Sequence, residues 1–264
     1  MIYAPDGPPN AGRPFIKSPD AMDRLSPPDI KKTPCLAKVL KAIELMKERI
    51  GDDCPIIGVV MSPFSVPVMQ MGFEPYLDLM IERPGLFEKL MRINEDFCVD
   101  WANAQLAAGA TAICYFDPVS SPSIVPRDSF MRTGFEVARR TLSRIKGPPA
   151  THLASGRVLP IIDDIIRTGA AVVGVSCTEN LAEIKAACRG KISVLGNLNG
   201  IEMRRWNAKE AEEKVRRAIL QAGPGGGFVL SDNHGEIPWS VSEETLLAIG
   251  EAARRHGTYP ISGS

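Results

Sequence analysis

One move recurs six times between Pro55 and Gly235. A short apolar run ends in polar residues, and a helical stretch usually follows. The runs are Pro-Ile-Ile-Gly-Val-Val (55–60), Thr-Ala-Ile-Cys-Tyr-Phe (111–116), Ala-Thr-His-Leu (150–153), Ala-Val-Val-Gly-Val-Ser (171–176), Ile-Ser-Val-Leu-Gly-Asn (192–197) and Phe-Val-Leu-Ser (228–231). Strands that alternate with helices form a parallel sheet, because parallel neighbours need a crossover. The expected architecture is therefore α/β, a (β/α)8 TIM-barrel-like fold. In such a barrel all strand C-termini open on one face, where active sites lie. The residues at the ends of the runs are the ones to weigh: Phe64, Asp117, His152, Cys177, Asn197 and Asp232-Asn233-His234.

The 264 residues suit one barrel domain of about 250 residues. Lys+Arg and Asp+Glu are both 31, so there is no global attraction to nucleic acid or to an anionic membrane. No apolar stretch approaches the roughly 18 residues of a spanning helix. Met-Ile-Tyr-Ala-Pro-Asp lacks the basic and apolar regions of a signal peptide, so the expected location is the cytoplasm. The six cysteines form no Cys-x-x-Cys pair and read as free thiols.

Residues 1–34, rich in Pro and Gly, read as an irregular segment with one short extended piece around Arg13-Pro14-Phe15-Ile16. Ser18-Pro19-Asp20 and Ser26-Pro27-Pro28-Asp29 have the form of helix starts. Residues 35–50 place Leu36, Val39, Leu40, Ile43 and Met46 on one helical face, closed by Gly51. Residues 72–109 read as mostly helical. Further helices are expected over 127–146, 158–168, 181–189, 208–222 and 242–255, with Asn180 and Ser242 as N-caps and Gly147, Gly190 and Gly223 as stops. No linker interrupts 35–258, so residues 1–264 read as one domain. A closed barrel has eight strands, and only six are legible. An open edge must be covered, which leads to the expectation of a homodimer or another edge-covering association.

His152 ends the third run. It is either a buried, hydrogen-bonded histidine or a base or metal ligand at the barrel mouth. His234, in Ser-Asp-Asn-His-Gly-Glu, is either part of a turn or a functional residue. Cys177 is a small residue before a helix cap or a thiolate ligand shared with the two histidines. Asp117 would orient a histidine, pair with a cation or cap the following turn. Asn197 would donate its amide to a ligand or form a turn. Phe64, Asn197, Asp232 and Asn233 are the expected substrate contacts, and His152, His234 and Asp117 the expected catalytic groups. Gly223-Pro-Gly-Gly-Gly precedes a strand and so fails as a phosphate-cradling loop.

Four segments carry a family resemblance: Ile57-Gly-Val-Val-Met-Ser-Pro-Phe-Ser, Ala108-Gly-Ala-Thr-Ala-Ile-Cys-Tyr-Phe-Asp-Pro, Val194-Leu-Gly-Asn-Leu-Asn-Gly, and Asn233-His-Gly-Glu-Ile-Pro. In this order they resemble the uroporphyrinogen decarboxylase superfamily, which includes cobalamin-dependent methyltransferases. The resemblance implies a (β/α)8 barrel whose N-terminal helical segment and first two strands lie ahead of the point where this chain begins.

It also implies two activities. The decarboxylase uses no cofactor. Its carboxylate-binding arginines and its pyrrole-binding aspartate fall in that front portion, and its active-site tyrosine falls near Met69. Only His234, in the His-Gly motif, matches. The methyltransferase branch binds zinc through His-x-Cys after the fifth strand and a cysteine after the eighth. Here His152 matches and Ala154 replaces the first cysteine. His234 stands at or beside the second, so Cys177, Asp232 or Glu236 would complete the site. Asp117-Pro118-Val-Ser-Ser resembles this branch. The resemblance thus implies a corrinoid-dependent methyltransferase, with zinc as metal and a methylcobamide presented by a corrinoid protein. That enzyme would move a methyl group to or from a small molecule or thiol. A cofactor-free decarboxylase and a degenerate barrel that only binds a ligand are the alternatives.

Overall fold

A computed structural model of the chain describes residues 2–4, 7–10, 12–235 and 237–261. A short antiparallel pair, β1 (Ile2–Ala4) and β2 (Gly7–Asn10), opens the chain. The main sheet contains β3 (Ile57–Met61), β4 (Ala112–Phe116), β5 (Pro149–His152), β6 (Val172–Gly174), β7 (Ser193–Leu198) and β8 (Phe228–Asp232). All are parallel and hydrogen-bonded in chain order. The helices are α1 (Pro19–Asp23), α2 (Pro34–Ile50), α3 (Pro67–Met71), α4 (Phe73–Glu82), α5 (Pro84–Ala107), α6 (Arg127–Arg132), α7 (Gly134–Leu142), α8 (Ile162–Arg167), α9 (Leu181–Cys188), α10 (Ala208–Ala222) and α11 (Glu243–His256). The expected TIM-barrel-like fold is present, with six of its eight strands.

The N-terminal segment differs from the sequence expectation in two places. The paired strands there are β1 and β2, ahead of Arg13–Ile16; that stretch is irregular and fastened by Phe15 and Ile16 N–H groups on Gln70 O. The Ser26–Asp29 helix start is a turn instead. The Asp29 carboxylate accepts from the N–H groups of Lys31 and Lys32, a local pattern that competes with helix. The helix begins only at Pro34, whose fixed φ suits a first turn.

The expected N-caps hold: the Asn180 side chain accepts from Ala182 and Glu183, and Ser242 from Thr245. α10 adds a capping box between Asn207 and Glu210. No helix among the described residues is long and apolar enough to cross a membrane.

Register sets which strand face is buried. Val60, Tyr115, Thr151, Val173 and Val194 align across the sheet and are all buried in the core with the surrounding helices. Each buried Val or Ile on that face contributes about 1.5–3 kcal/mol. The opposite row is Met61, Phe116, His152, Gly174, Leu195 and Val229. In a closed barrel this row points inward. Here the ends of the sheet leave it open: Ile57 and Val59 on β3 are 52% and 54% exposed, and Val229 on β8 is 47% exposed.

The outer edge of β3 is covered from within. Ile56 O and Ser62 N bond toward β4, which leaves the Val59 peptide groups facing away from the sheet. There the Gln105 carboxamide of α5 accepts from Val59 N–H and donates to Val59 O, both at 3.1 Å. Gly58 permits this approach, since a Cβ on it would lie 2.9 Å from Gln105 Oε1. A side chain thus takes the place of a neighbouring strand at one rung.

Candidate functional site

His152 is the last residue of β5 and points into the open row. Its neighbours in register are Phe116 and Gly174. The ring stacks on Phe116, with centroids 5.7 Å apart, and leans across Gly174. A Cβ on Gly174 would fall 2.3 Å from His152 Cδ2, so only glycine leaves room for this placement. Nδ1 accepts the Ala154 N–H at 3.0 Å. The neutral ring therefore carries its proton on Nε2, which is buried and has no partner. Burial holds the imidazole below its usual pKa, against the pull of the Asp232 carboxylate.

The loop after β8 comes over this ring. A Cβ on Gly235 would lie 3.9 Å from both His152 Cε1 and Phe116 Cε2. Asp232 shapes the loop: its Oδ2 accepts from His234 N–H at 2.8 Å and Gly235 N–H at 2.9 Å. His234 Nδ1 is buried and unpartnered. Asn233 is 0% exposed, and neither atom of its carboxamide has a partner. Strand ends five and eight thus bring His152, Asn233 and His234 to one place. A buried donor or acceptor left unpaired costs about 1–3 kcal/mol, so these atoms are arranged for a polar ligand.

Asp117 lies elsewhere. It is 1% exposed, and three serine hydroxyls saturate its carboxylate: Ser62 at 2.6 Å, Ser65 at 2.7 Å and Ser120 at 2.5 Å. Burial still raises its pKa against those bonds. It ties the loop after β3 to the turn after β4, which is the turn-capping alternative rather than a substrate contact. Phe64 is fully buried, edge-on to Tyr76 at 6.0 Å and Phe87 at 6.2 Å. Its place is in the core and not at the mouth. Asn197 spends its amide on Ser176 O at 2.9 Å, bracing the β6 and β7 loops. It lines a separate polar cavity of about 540 Å³ beside α9 and α10.

Cys177 borders both that cavity and a second one of about 350 Å³, whose lining includes Asn233 and His234. Burial and the nearby Glu202 push its thiol above the usual range. Zinc does not fit these residues as they stand. His152 would ligate through Nε2 only with its proton moved to Nδ1, where it would oppose the Ala154 N–H. Ala154 supplies no donor. Among the described residues no three of His, Cys, Asp and Glu are grouped to hold a metal; Glu236 lies outside them.

The sequence pattern did not single out Gly174, or Arg204 and Arg205 beside the smaller cavity. A glycine one residue before the end of an apolar run was the available signal for the first. The arginines sit in a short 3-10 turn after β7 and carry no local signature.

Comparison with known proteins agrees with the fold. The uroporphyrinogen decarboxylase (URO-D) family model matches residues 1–256. A methylcobamide:CoM methyltransferase from Methanosarcina barkeri is 27% identical over 176 residues, covering 66% of this chain and 51% of that protein. A uroporphyrinogen decarboxylase from Idiomarina loihiensis is 24% identical over 257 residues, covering 91% of this chain and 69% of that protein. The chain spans about half the length of the first of these relatives. A solved methyltransferase from Methanosarcina mazei superposes with a TM-score of 0.83 at 23% identity, covering 92% of this chain and 71% of that one. The superposition shows the shared fold.

Proposed function

This chain belongs to the uroporphyrinogen decarboxylase family, and we propose that within it the chain is a methyltransferase acting on a small molecule at the mouth formed by β5 and β8. One observation supports this reading: buried polar atoms of His152, Asn233 and His234, at the ends of β5 and β8, have no partners. The similarity to a methylcobamide:CoM methyltransferase supports the reaction class. In this reading a methylcorrinoid presented by a partner protein would supply an electrophilic methyl group, keeping the electron pair of the broken cobalt–carbon bond.

The chain's own residues bind and deprotonate the acceptor. His152 Nε2–H donates to an acceptor atom of the substrate, with the ring fixed by Ala154 and Phe116. His234 Nδ1, with no internal partner, takes the proton of a thiol or similar group as general base. Activation thus falls to the imidazoles, since the donor set does not suit zinc.

A second reading, cofactor-free decarboxylation, is favoured by the longer matches to curated uroporphyrinogen decarboxylases, up to 95% of this chain. One experiment separates the two. The protein is incubated with free methylcobalamin and a panel of thiols, and in parallel with uroporphyrinogen. Loss of the methylcobalamin absorbance, slowed about 10²–10⁴-fold by His234→Asn, is the expected result. Decarboxylation without methyl transfer would replace this reading with the second.

A further inference from the structure

The cavity of about 350 Å³ at the mouth has two features that the proposed chemistry leaves unused. Arg204 and Arg205 both line it, both are exposed, and neither forms an ion pair among the described residues. Two guanidinium groups lining one cavity suit a planar oxyanion, which a guanidinium can grip in bidentate fashion. The same lining includes Asn233, which is fully buried with Oδ1 and Nδ2 both unpartnered. A carboxamide offers an acceptor and a donor side by side. Its natural complement is a second carboxamide, which pairs with it through two hydrogen bonds. Ser155, Thr178, Asn199, His234 and the Glu202 carboxylate complete the polar lining, and with one carboxylate against two guanidinium groups the charge of the lining stays positive. The volume lies at the low end of small-ligand sites, about 300–1,000 Å³.

We infer that this cavity is the binding site for a small carboxylic acid bearing a primary amide, with Arg204 and Arg205 on the carboxylate and Asn233 on the amide. The inference rests on reading the mouth as the reacting site, and it narrows the substrate to a compact amide-bearing acid. The two arginines and Asn233 come from different strand ends, β7 and β8, so the ligand bridges the two loops. Its reacting group then lies beside His234.

Calorimetric titration of the whole protein with succinamate tests this, with succinamide and succinate as controls and histidine side-chain NMR as a second readout. Binding is read without turnover, so failure of the methyl-transfer reading leaves the result intact, and the reverse also holds. The expected result is saturable succinamate binding that shifts the His234 resonances. Succinamide, lacking the charge, and succinate, lacking the amide, should each bind at least about tenfold more weakly, the factor expected for one lost charge-assisted or paired hydrogen bond. Arg204→Ala with Arg205→Ala, both at exposed positions, should reduce the protein's preference for succinamate over succinamide to near unity. Asn233→Asp should invert the preference between the amide and the acid. Equal binding of all three compounds, no saturable heat from succinamate, or unchanged selectivity in the double arginine variant would overturn the assignment.

Discussion

Replacing Gly174 by alanine drives a methyl group into the His152 imidazole. The new Cβ would sit 2.3 Å from Cδ2, where an ordinary contact begins near 3.4 Å, so the ring must retreat by about 1 Å. It has little freedom to do so. The Phe116 ring lies against it, and the Ala154 N–H holds Nδ1 at 3.0 Å. Forcing one extra carbon into such a site costs about 1–3 kcal/mol, and losing the Ala154 bond adds about 0.5–1.5 kcal/mol. A loss of roughly 2–4 kcal/mol is expected in urea unfolding. A reacting group displaced by 1 Å should also slow turnover about 10²-fold. The backbone φ of Gly174 is not among the positive values, so the whole effect passes through the ring. A double-mutant cycle isolates it: in a His152→Ala background, Gly174→Ala should cost less than about 0.5 kcal/mol. Equal costs in both backgrounds would show that Gly174 serves the backbone instead, and would sink the account of how His152 is placed.

Gln105→Leu removes both bonds to the Val59 peptide and should cost about 1–3 kcal/mol; concentration-dependent association in analytical ultracentrifugation should accompany the loss, because the β3 edge becomes free to pair. Burial lowers the His152 pKa from its ordinary 6.5. Its contribution to stability is therefore intact above pH 6.5 and is lost as the pH falls below that value toward the folded pKa, because the unfolded chain then binds the proton more readily. A His152→Gln variant should show a shallower acid limb in urea melts between pH 7 and 5, and an identical limb would contradict the burial argument. Tyr76→Phe breaks the 2.7 Å bond to Phe64 O and should cost about 1 kcal/mol with no change in ligand binding. Elemental analysis of purified protein should find well under one zinc per chain; a full equivalent lost in His152→Ala would show that the Nδ1 bond to Ala154 yields to the metal.

The six strands were legible because each is a β-rich apolar run bounded by polar or glycine residues, and all six lie within a few residues of the runs read from sequence. The mouth was legible for the same reason: in a parallel sheet, strand ends share one face, which made an approach of His152 and His234 possible without requiring it. What failed was the role of side chains whose partners lie far along the chain. Asp117 ends a strand as a catalytic carboxylate would, yet its partners Ser62 and Ser65 lie 55 and 52 residues away. Phe64 ends a run and still turns into the core, because Tyr76 and Phe87 follow on helices that fold back over it. Cys177 does border the mouth, but its thiol state depends on burial and on Glu202, which a spacing rule does not contain. Ser26–Asp29 has a helix-start composition, and the same Asp29 serves a turn equally well.

The strictly sequential order of the sheet bears on how the chain acquires its structure. Every strand pairs only with the strand before and after it in sequence, and β3 and β8 are not joined. A closed cylinder must bring its first and last strands together, which carries the loop-closure entropy of the whole intervening chain. Among the described residues no pairing joins β3 to β8. Contacts are made between successive βα units, yet the paired residues lie from 21 (Val172 and Ser193) to 55 (Ile57 and Ala112) positions apart, so each step of growth is itself a slow, non-local pairing. The sheet is free to assemble in the order of synthesis, each new strand docking on a completed one. Such a stack also comes apart from its ends. Amide exchange should be fastest in β8, which has one neighbour, and slowest in β5 and β6, with β3 protected beyond its position at the Val59 amide by Gln105.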